Sequence, residues 1–196
     1  MRHAALLLIE CQNEWLSSQG KLQRLIEDRE SFDNSVLNIE KALQHARKIK
    51  MSVAHVGLRF QDGYPELANG KSGLNKAIPN AGTFPLNGFG SAFFESLSPE
   101  TGEFIVTGRT GSSGFASSNL DIWLRNNKID TIYLTGYALH VCVESTFREA
   151  HDKGYNPVLI EDATAAFNTK QHKYVLENVV HHFGEHIPTD LFLAVQ

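Results

Sequence analysis

Short apolar runs alternate with helical stretches along the 196-residue chain, and this alternation restricts the possible folds more than any other feature. The runs cover residues 4–10, 52–58, 103–107, 131–135, 156–161 and 190–195. Strands that are apolar throughout are typical of parallel sheets covered on both faces, and the helical connections between such strands are right-handed. We therefore predict a single α/β domain over residues 1–196, in which helices cover both faces of a mainly parallel sheet.

Between these runs, apolar residues recur at the spacing of one helix face. Such stretches lie at 36–49, after a capping box at Ser118–Asp121, at 143–153 and at 175–183. The segment after the first run, residues 11–15, is predicted to be a loop. It lacks the Gly-rich turn that binds the phosphates of a dinucleotide at this point of a nucleotide-binding α/β fold.

Residues 61–102 interrupt the alternation, because glycines and prolines are scattered throughout this segment. Only residues 91–97 indicate a short helix within it. An irregular segment of this length is usually a lid or a pocket wall, and less often a disordered region. Its aromatic side chains provide apolar material for packing and favour the pocket wall: Tyr64, Phe84, Phe89, Phe93 and Phe94.

Composition and charge exclude several classes of function. A net charge of −4, spread along the chain, gives no sign of binding to nucleic acid or to a membrane surface. The first apolar run, residues 4–9, is too short for the core of a signal peptide or for a membrane span. Two cysteines, Cys11 and Cys142, do not make a disulfide framework, so we expect a cytoplasmic protein.

Cys142 lies where the strand at 131–135 gives way to the helix at 143–153, with Gly136 expected to stop the strand and Gly154 to end the helix. A thiol at the first turn of a helix faces unpaired backbone N–H groups and the positive end of the helix dipole, which favour thiolate. The same N–H groups can bind an oxyanion. The alternative is that Cys142 is a small buried side chain with no chemistry.

Two other ionisable residues stand at strand ends, Glu10 after the first predicted strand and Arg109 after the third. Ligands of parallel sheets bind beyond the carboxyl ends of the strands, so Glu10, Arg109 and Cys142 provide a candidate base, cation and nucleophile at one edge. The alternative for Glu10 is a carboxylate in a turn or an ion pair, and the alternative for Arg109 is an ordinary surface arginine. A further alternative is phosphate binding by residues 108–114, although this segment lacks the Walker spacing.

Five segments carry a resemblance to the isochorismatase-like cysteine hydrolases, which include nicotinamidases, carbamoyl-amidases and ureido-hydrolases. They are LLLIECQNEW at 6–15, HVGLRF at 55–60, SGF at 113–115, LTGYALHVCVESTFREAHDKGY at 134–155 and IEDATAAF at 160–167. The resemblance covers nearly the whole chain, and the segment around Cys142 is the most specific. It implies a six-stranded sheet in the order 3-2-1-4-5-6, which places Glu10 and Cys142 on adjacent strands.

The resemblance also implies a mechanism. In this family an aspartate, a lysine and a cysteine work together. The aspartate takes the proton of the cysteine thiol, the thiolate attacks an amide-like carbonyl, and water hydrolyses the resulting thioester. A cis peptide bond shapes the oxyanion hole; here it would join Tyr137 and Ala138, with the N–H groups of Ala138 and Cys142 as donors. Trp15, Phe115 and Leu139 would lie in the substrate pocket.

Three positions depart from the family pattern. The aspartate is replaced by Glu10, which is one methylene longer, and the lysine by Arg109. The Arg109 charge is permanent, so it can stabilise a thiolate or an anionic intermediate but cannot shuttle a proton. A threonine that usually precedes the nucleophile is Leu139. These departures leave two hypotheses, a hydrolase and a diverged protein that binds a small molecule without catalysis.

The remaining expectations concern metals and assembly. The Asp-x-His metal motif of nicotinamidases is missing after the second strand, so we predict no metal and no other cofactor. His181, His182 and His186 are expected at the surface, because adjacent helical residues point in different directions. Cys11 is expected to pack in the core. The resemblance implies a homo-oligomer, a dimer or tetramer, and a small amide, carbamoyl or ureido compound as substrate.

Overall fold

Six parallel strands form one sheet in the computed structural model, which describes residues 3–67 and 70–196. The order is β3-β2-β1-β4-β5-β6, as predicted. The strands are β1 (Ala4–Ile9), β2 (Ser52–Val56), β3 (Phe104–Ile105), β4 (Thr131–Tyr137), β5 (Asn156–Ala165) and β6 (Glu185–Ile187). Each neighbouring pair is parallel, so the carboxyl ends of β2, β1 and β4 lie side by side at one edge.

Helices cover both faces of this sheet. They are α1 (Asn13–Leu16), α2 (Arg29–Lys48), α3 (Gly73–Ala81), α4 (Leu120–Asn126), α5 (Glu144–Asp152), α6 (Thr169–Asn178), α7 (Val180–Phe183) and α8 (Thr189–Phe192). The helix predicted from residue 36 begins at Arg29 instead, because the Asp28 side chain accepts a hydrogen bond from Ser31 N at 3.1 Å and caps it. The stretch at 175–183 is divided between α6 and α7.

Two apolar cores lie on opposite faces of the sheet, because successive side chains of a strand point to opposite sides. In β1, Leu6 and Leu8 belong to the core under α2, with Phe32, Ile39 and Leu43 of that helix. Leu7 and Ile9 belong to the other core, which α4, α5 and α6 cover. The predicted three-layer arrangement is therefore confirmed.

The sixth strand is not where the apolar pattern placed it. Residues 190–195 were expected to form it, whereas β6 is Glu185–Ile187 and α8 covers Thr189–Phe192. A short apolar run does not distinguish a strand from a buried helical turn. Here the Phe192 ring packs against the Tyr133 ring, with the two ring centroids 4.9 Å apart. β6 lies at the edge of the sheet with two exposed polar residues, so its sequence shows no apolar run.

Gly136 does not stop the fourth strand, which continues to Tyr137. Its φ of 107° lies in the region that favours glycine, and a Cβ at this position would come within 1.9 Å of Ile9 O. Glycine here therefore permits close approach of β4 to β1. This contact lies immediately before both Glu10 and the turn that carries Cys142.

The segment 61–102 contains more structure than expected. Helix α3 was missed, since Pro79 lies inside it and a proline argues against a helix. The predicted short helix at 91–97 is replaced by two 3-10 turns, Phe89–Ser91 and Glu95–Leu97. Residues 11–15, predicted as a loop, contribute to the short helix α1.

Candidate active site

Glu10, Arg109 and Cys142 meet at the carboxyl edge of the sheet. Glu10 directly follows β1, with φ 51°, and its N–H donates to Val56 O at the end of β2 at 2.9 Å. Cys142 lies in a wide turn, Leu139–Val143, between β4 and α5. Arg109 follows β3, two strands away from β1, so its side chain has to cross the end of β2 to reach Glu10.

The carboxylate of Glu10 is held by two donors. Arg109 Nη2 lies 2.7 Å from Glu10 Oε1, and Trp15 Nε1 donates to Oε2 at 3.0 Å. The side chains of this ion pair are 2% and 0% exposed, so water hardly reaches either charge. The indole of Trp15 therefore fixes the orientation of the carboxylate as well as lining the site.

Arg109 is enclosed by backbone carbonyl groups. Its Nε donates to the carbonyl oxygens of Gly111 and Ser113 at 3.1 and 3.2 Å, and Nη1 donates to Val56 O at 3.3 Å. Nη2 also donates to Ser112 O at 2.5 Å. The Gly-rich loop thus turns carbonyl oxygens toward the guanidinium, which is the opposite of the N–H cradle that would bind a phosphate.

The Cys142 thiol interacts with the side chains of both Glu10 and Arg109. Burial raises the pKa of the Cys142 thiol well above its usual range, the Glu10 charge raises it further, and Arg109 opposes this. Burial and the Glu10 charge therefore oppose the expected bias toward thiolate. The sequence pattern shows the helix start but not the buried carboxylate beside the sulfur. A thiol with a raised pKa must lose its proton before it can act as a nucleophile, and Glu10 is the carboxylate that acts on it.

The backbone before the turn has the predicted special geometry. The peptide bond between Tyr137 and Ala138 is cis. The Tyr137 side chain is buried, with its hydroxyl 3.0 Å from Ser35 Oγ, and the carbonyl of Ala138 accepts from Val141 N at 3.0 Å. An oxyanion role for the N–H groups of Ala138 and Cys142 stays a prediction.

A cavity of about 410 Å³ opens from the sulfur toward solvent. Cys142 and Glu10 form its closed end, and its walls come from the segments around α1, from α3 and from Phe167. The apolar lining residues are Trp15, Leu22, Leu25, Leu58, Leu74, Ala77, Ile78, Ala81, Phe84, Ala138, Val141 and Phe167. The pocket wall predicted for residues 61–102 is thus present, formed mainly by α3.

Of the three expected pocket residues, the structure places only Trp15 at this cavity. Phe115 stacks on Tyr155, with ring centroids 5.9 Å apart, in the core on the far face of the sheet. Leu139 is fully buried in the same core, because its position in the turn points away from the cavity.

Several cavity residues were missed by the sequence analysis. Leu74, Ala77, Ile78 and Ala81 recur at i, i+3, i+4 and i+7, so this spacing in α3 could have identified them. Arg24 also lines the cavity, from a 3-10 turn at Gln23–Leu25. No pattern in the sequence distinguishes Arg24 from an ordinary surface arginine.

The other predicted placements can be checked directly. His181, His182 and His186 are exposed, and Cys11 is fully buried in the core under α2. Within residues 3–67 and 70–196, no group of three or more His, Cys, Asp or Glu side chains is arranged to hold a metal ion. In the same part of the chain, no helix combines the length and the apolar character that crossing a membrane requires.

Comparison with known proteins agrees with this architecture. The model of the isochorismatase domain matches residues 4–190. The isochorismatase-family protein YwoC of Bacillus subtilis is 30% identical over 88% of each chain, and the ureidoacrylate amidohydrolase RutB of Stutzerimonas stutzeri is 31% identical over 82% of this chain and 68% of its own.

Solved structures show the same fold at lower identity. A cysteine hydrolase from Pseudomonas syringae superposes with a TM-score of 0.84 at 23% identity, covering 98% of this chain and 92% of its own. N-carbamoylsarcosine amidase from Thermoplasma acidophilum gives a TM-score of 0.71 at 22% identity, covering 96% and 97%. On the extent of the domain match and the similarity to YwoC, the chain belongs to the isochorismatase family of hydrolases.

Proposed function

We propose that this protein is a cysteine-dependent hydrolase that cleaves a C–N bond of a small amide, carbamoyl or ureido compound through a thioester. One observation carries the proposal: Cys142 and Glu10 line the closed end of one apolar cavity, where the charges of Glu10 and of its partner Arg109 both act on the thiol. A nucleophile, a base and a fixed cation at one point are the parts that acyl transfer requires.

In the first step, a Glu10 oxygen takes the thiol proton while the sulfur attacks the substrate carbonyl carbon. A C–S bond forms, and the π electrons of the carbonyl move to its oxygen. The N–H groups of Ala138 and Cys142 are proposed as donors to this oxyanion. Arg109 supplies a positive charge that opposes the build-up of negative charge on sulfur and oxygen, in a site from which water is largely excluded.

In the second step, the C–N bond breaks and the protonated Glu10 gives its proton to the departing nitrogen. The acyl group remains on sulfur as a thioester. Water then attacks the thioester carbonyl, with Glu10 taking one of its protons, and the C–S bond breaks as the thiol is protonated again. The products are ammonia or an amine and the corresponding acid, which is a carbamic acid for a ureido substrate.

Glu10 and Arg109, which replace the aspartate and the lysine of the family pattern, serve as base and cation in this arrangement. Arg109 has to pass the end of β2, and its planar guanidinium reaches Glu10 while also bonding Val56 O. Trp15 donates to the second carboxylate oxygen, which limits rotation of the longer side chain. The positions therefore retain a carboxylate at the sulfur and a cation beside it.

The substrate class comes from the relatives. RutB is named for hydrolysis of ureidoacrylate, and the T. acidophilum enzyme for hydrolysis of N-carbamoylsarcosine. Both names describe a carbonyl flanked by nitrogen in a small molecule, which supports amide and ureido compounds as the class for this chain.

The test is ammonia release from a panel of primary amides, N-carbamoyl amino acids and ureido acids. Cys142→Ser and Glu10→Gln are the variants, and intact-mass measurement under rapid acid quench detects the acyl-enzyme. We expect turnover in the wild type, a mass increase on Cys142, and loss of both in Cys142→Ser. Equal activity of Cys142→Ser and wild type would refute a nucleophilic role for this cysteine.

A second candidate function, small-molecule binding without catalysis, is favoured by one observation. Both oxygens of Glu10 already accept hydrogen bonds, from Arg109 and Trp15, which leaves fewer lone pairs free to receive the thiol proton. A binder would bind panel compounds in calorimetry with equal affinity in wild type and Glu10→Gln, without releasing ammonia from any of them.

A further inference from the structure

The cavity has different chemistry at its two ends. Its closed end holds Cys142 and Glu10, which are nearly fully buried. Its solvent side includes Leu25 and Leu74, which are 37% and 38% exposed, and the exposed Arg24. The surface between the two ends is mainly apolar. A molecule that fills the cavity therefore meets a reactive group, then hydrocarbon, then a positive charge.

Arg24 is available to bind a ligand. Within the described part of the chain, no hydrogen bond, ion pair or ring contact engages its side chain. Among the described cavity residues, Glu10 is the only acid, and its charge is already paired with Arg109. The Arg24 charge thus has no counter-ion in the cavity.

The turn that carries Arg24 is held in place by its neighbours. Gln23 donates from its side chain to Trp15 O, and Leu22 N donates to Glu14 O at 3.1 Å. The adjacent Lys21 donates from Nζ to Gly82 O at the end of α3, so its charge is directed to the wall rather than to the cavity. Arg24 is therefore the cation that this turn presents at the opening.

We propose that the preferred substrates carry a carboxylate at the end distant from the scissile C–N bond, joined to it by an apolar chain or ring, and that Arg24 binds this carboxylate. The inference rests on the proposed function, because it places the reacting carbonyl at Cys142. Trp15, Ile78 and Phe84 contact the apolar part. A guanidinium forms two parallel hydrogen bonds to a carboxylate, which suits recognition at an open site.

The experiment compares amides that differ only at the distant end. The probes are the mono-amides of straight-chain dicarboxylic acids with four to eight carbons, each paired with the n-alkanamide of equal heavy-atom number. The value kcat/KM for ammonia release is measured for wild type, Arg24→Met and Arg125→Met. Arg125→Met is the control, because it removes an exposed arginine on α4, over the opposite face of the sheet.

For at least one chain length, we expect the wild type to prefer the carboxylate member. We expect the ratio of kcat/KM for the carboxylate member to kcat/KM for the alkanamide to fall about 10-fold in Arg24→Met, mainly through KM. The factor is modest because the Arg24 side chain is exposed to solvent. Arg125→Met should keep the wild-type ratio. An equal ratio in wild type and Arg24→Met at every chain length overturns the proposal.

Binding separates this proposal from the proposed function. If no panel member is hydrolysed, calorimetric titration of wild type and Arg24→Met with the same mono-amides decides the matter. Binding that weakens about 10-fold in Arg24→Met would support carboxylate recognition while the hydrolase proposal fails. Binding that is equal in the two proteins, or absent from both, would overturn carboxylate recognition by Arg24.

Discussion

The buried ion pair between Arg109 and Glu10 makes a quantitative prediction about stability. Arg109→Met keeps most of the apolar volume of the side chain but leaves the Glu10 carboxylate buried with no cation. Breaking a buried pair by removing one partner costs about 3–5 kcal/mol. The variant also leaves two carbonyl oxygens that face the guanidinium, Gly111 O and Ser112 O, without their donor, which places the loss toward the upper end of this range.

This free energy converts to a measurable shift in unfolding temperature. For a chain of this size, 1 kcal/mol corresponds to about 2–4 °C, so Arg109→Met should lower Tm by roughly 6–20 °C. Differential scanning calorimetry and urea unfolding measure the loss independently. The control is Arg125→Met, which breaks an exposed pair with Asp121, a hydrogen bond to Lys153 O and a contact over the Tyr155 ring, and should lower stability by about 1–2 kcal/mol.

The double variant Glu10→Gln/Arg109→Met tests the reason for the loss. It removes the unpaired charge while keeping a polar group that accepts from Trp15, so roughly half of the lost stability should return. If the double variant is no more stable than Arg109→Met, the isolated carboxylate is not the source. If Arg109→Met unfolds within about 1 kcal/mol of wild type, the pair is not buried as described.

Three further predictions concern protonation and assembly. Because burial and the Glu10 charge raise the pKa of the Cys142 thiol, iodoacetamide should alkylate Cys142 slowly at pH 7 and faster as the pH rises. Glu10→Gln should speed this alkylation while abolishing turnover, and time courses of the intact mass measure the alkylation rate. Slower alkylation in Glu10→Gln would contradict the charge effect. Although burial opposes the shift, hydrogen bonds from Arg47 and other donors lower the pKa of Glu103 from its usual 4.5 to about 2. The contribution of Glu103 to the free energy of unfolding is therefore full above pH 4.5 and is lost as the pH falls toward 2. Chemical unfolding of Glu103→Gln should show a smaller loss of stability over this pH range than the wild type shows. Multi-angle light scattering should give a dimer or tetramer mass, and a monomer mass would refute the expected homo-oligomer.

The sequence was sufficient for the parts of the fold that bury long apolar runs. β1 and β4 are buried on both faces, so their patterns predicted them and placed Glu10 and Cys142 at their ends. β6 was missed because an exposed edge strand needs no apolar run, and α3 because a proline inside a segment argues against a helix even where the apolar spacing is helical.

The site could be predicted by position but not by electrostatics. Strand order and resemblance brought Glu10, Arg109 and Cys142 together; the structure pairs Glu10 with Arg109 and places Glu10 and Cys142 at one cavity. The protonation preference of the thiol depends on how deeply it is buried beside a carboxylate, which no local pattern records. Phe115 and Leu139 were misplaced for a similar reason, since one residue of shift in a turn directs a side chain to the other face of the sheet.

The cavity is formed by two parts of the chain that differ in how firmly the rest of the fold holds them. Its reactive end is fixed by strands whose displacement would disturb the entire sheet. Its opening is built by α3 and by the turn around Arg24, which are attached to α1 by hydrogen bonds such as those from Phe84 N to Glu14 Oε1 and from Gln23 to Trp15 O. Ligand preference can therefore change through substitutions in these two segments while the residues at the closed end stay the same. Replacing residues 70–84 with those of a relative would transfer ligand selectivity without altering Glu10 or Cys142.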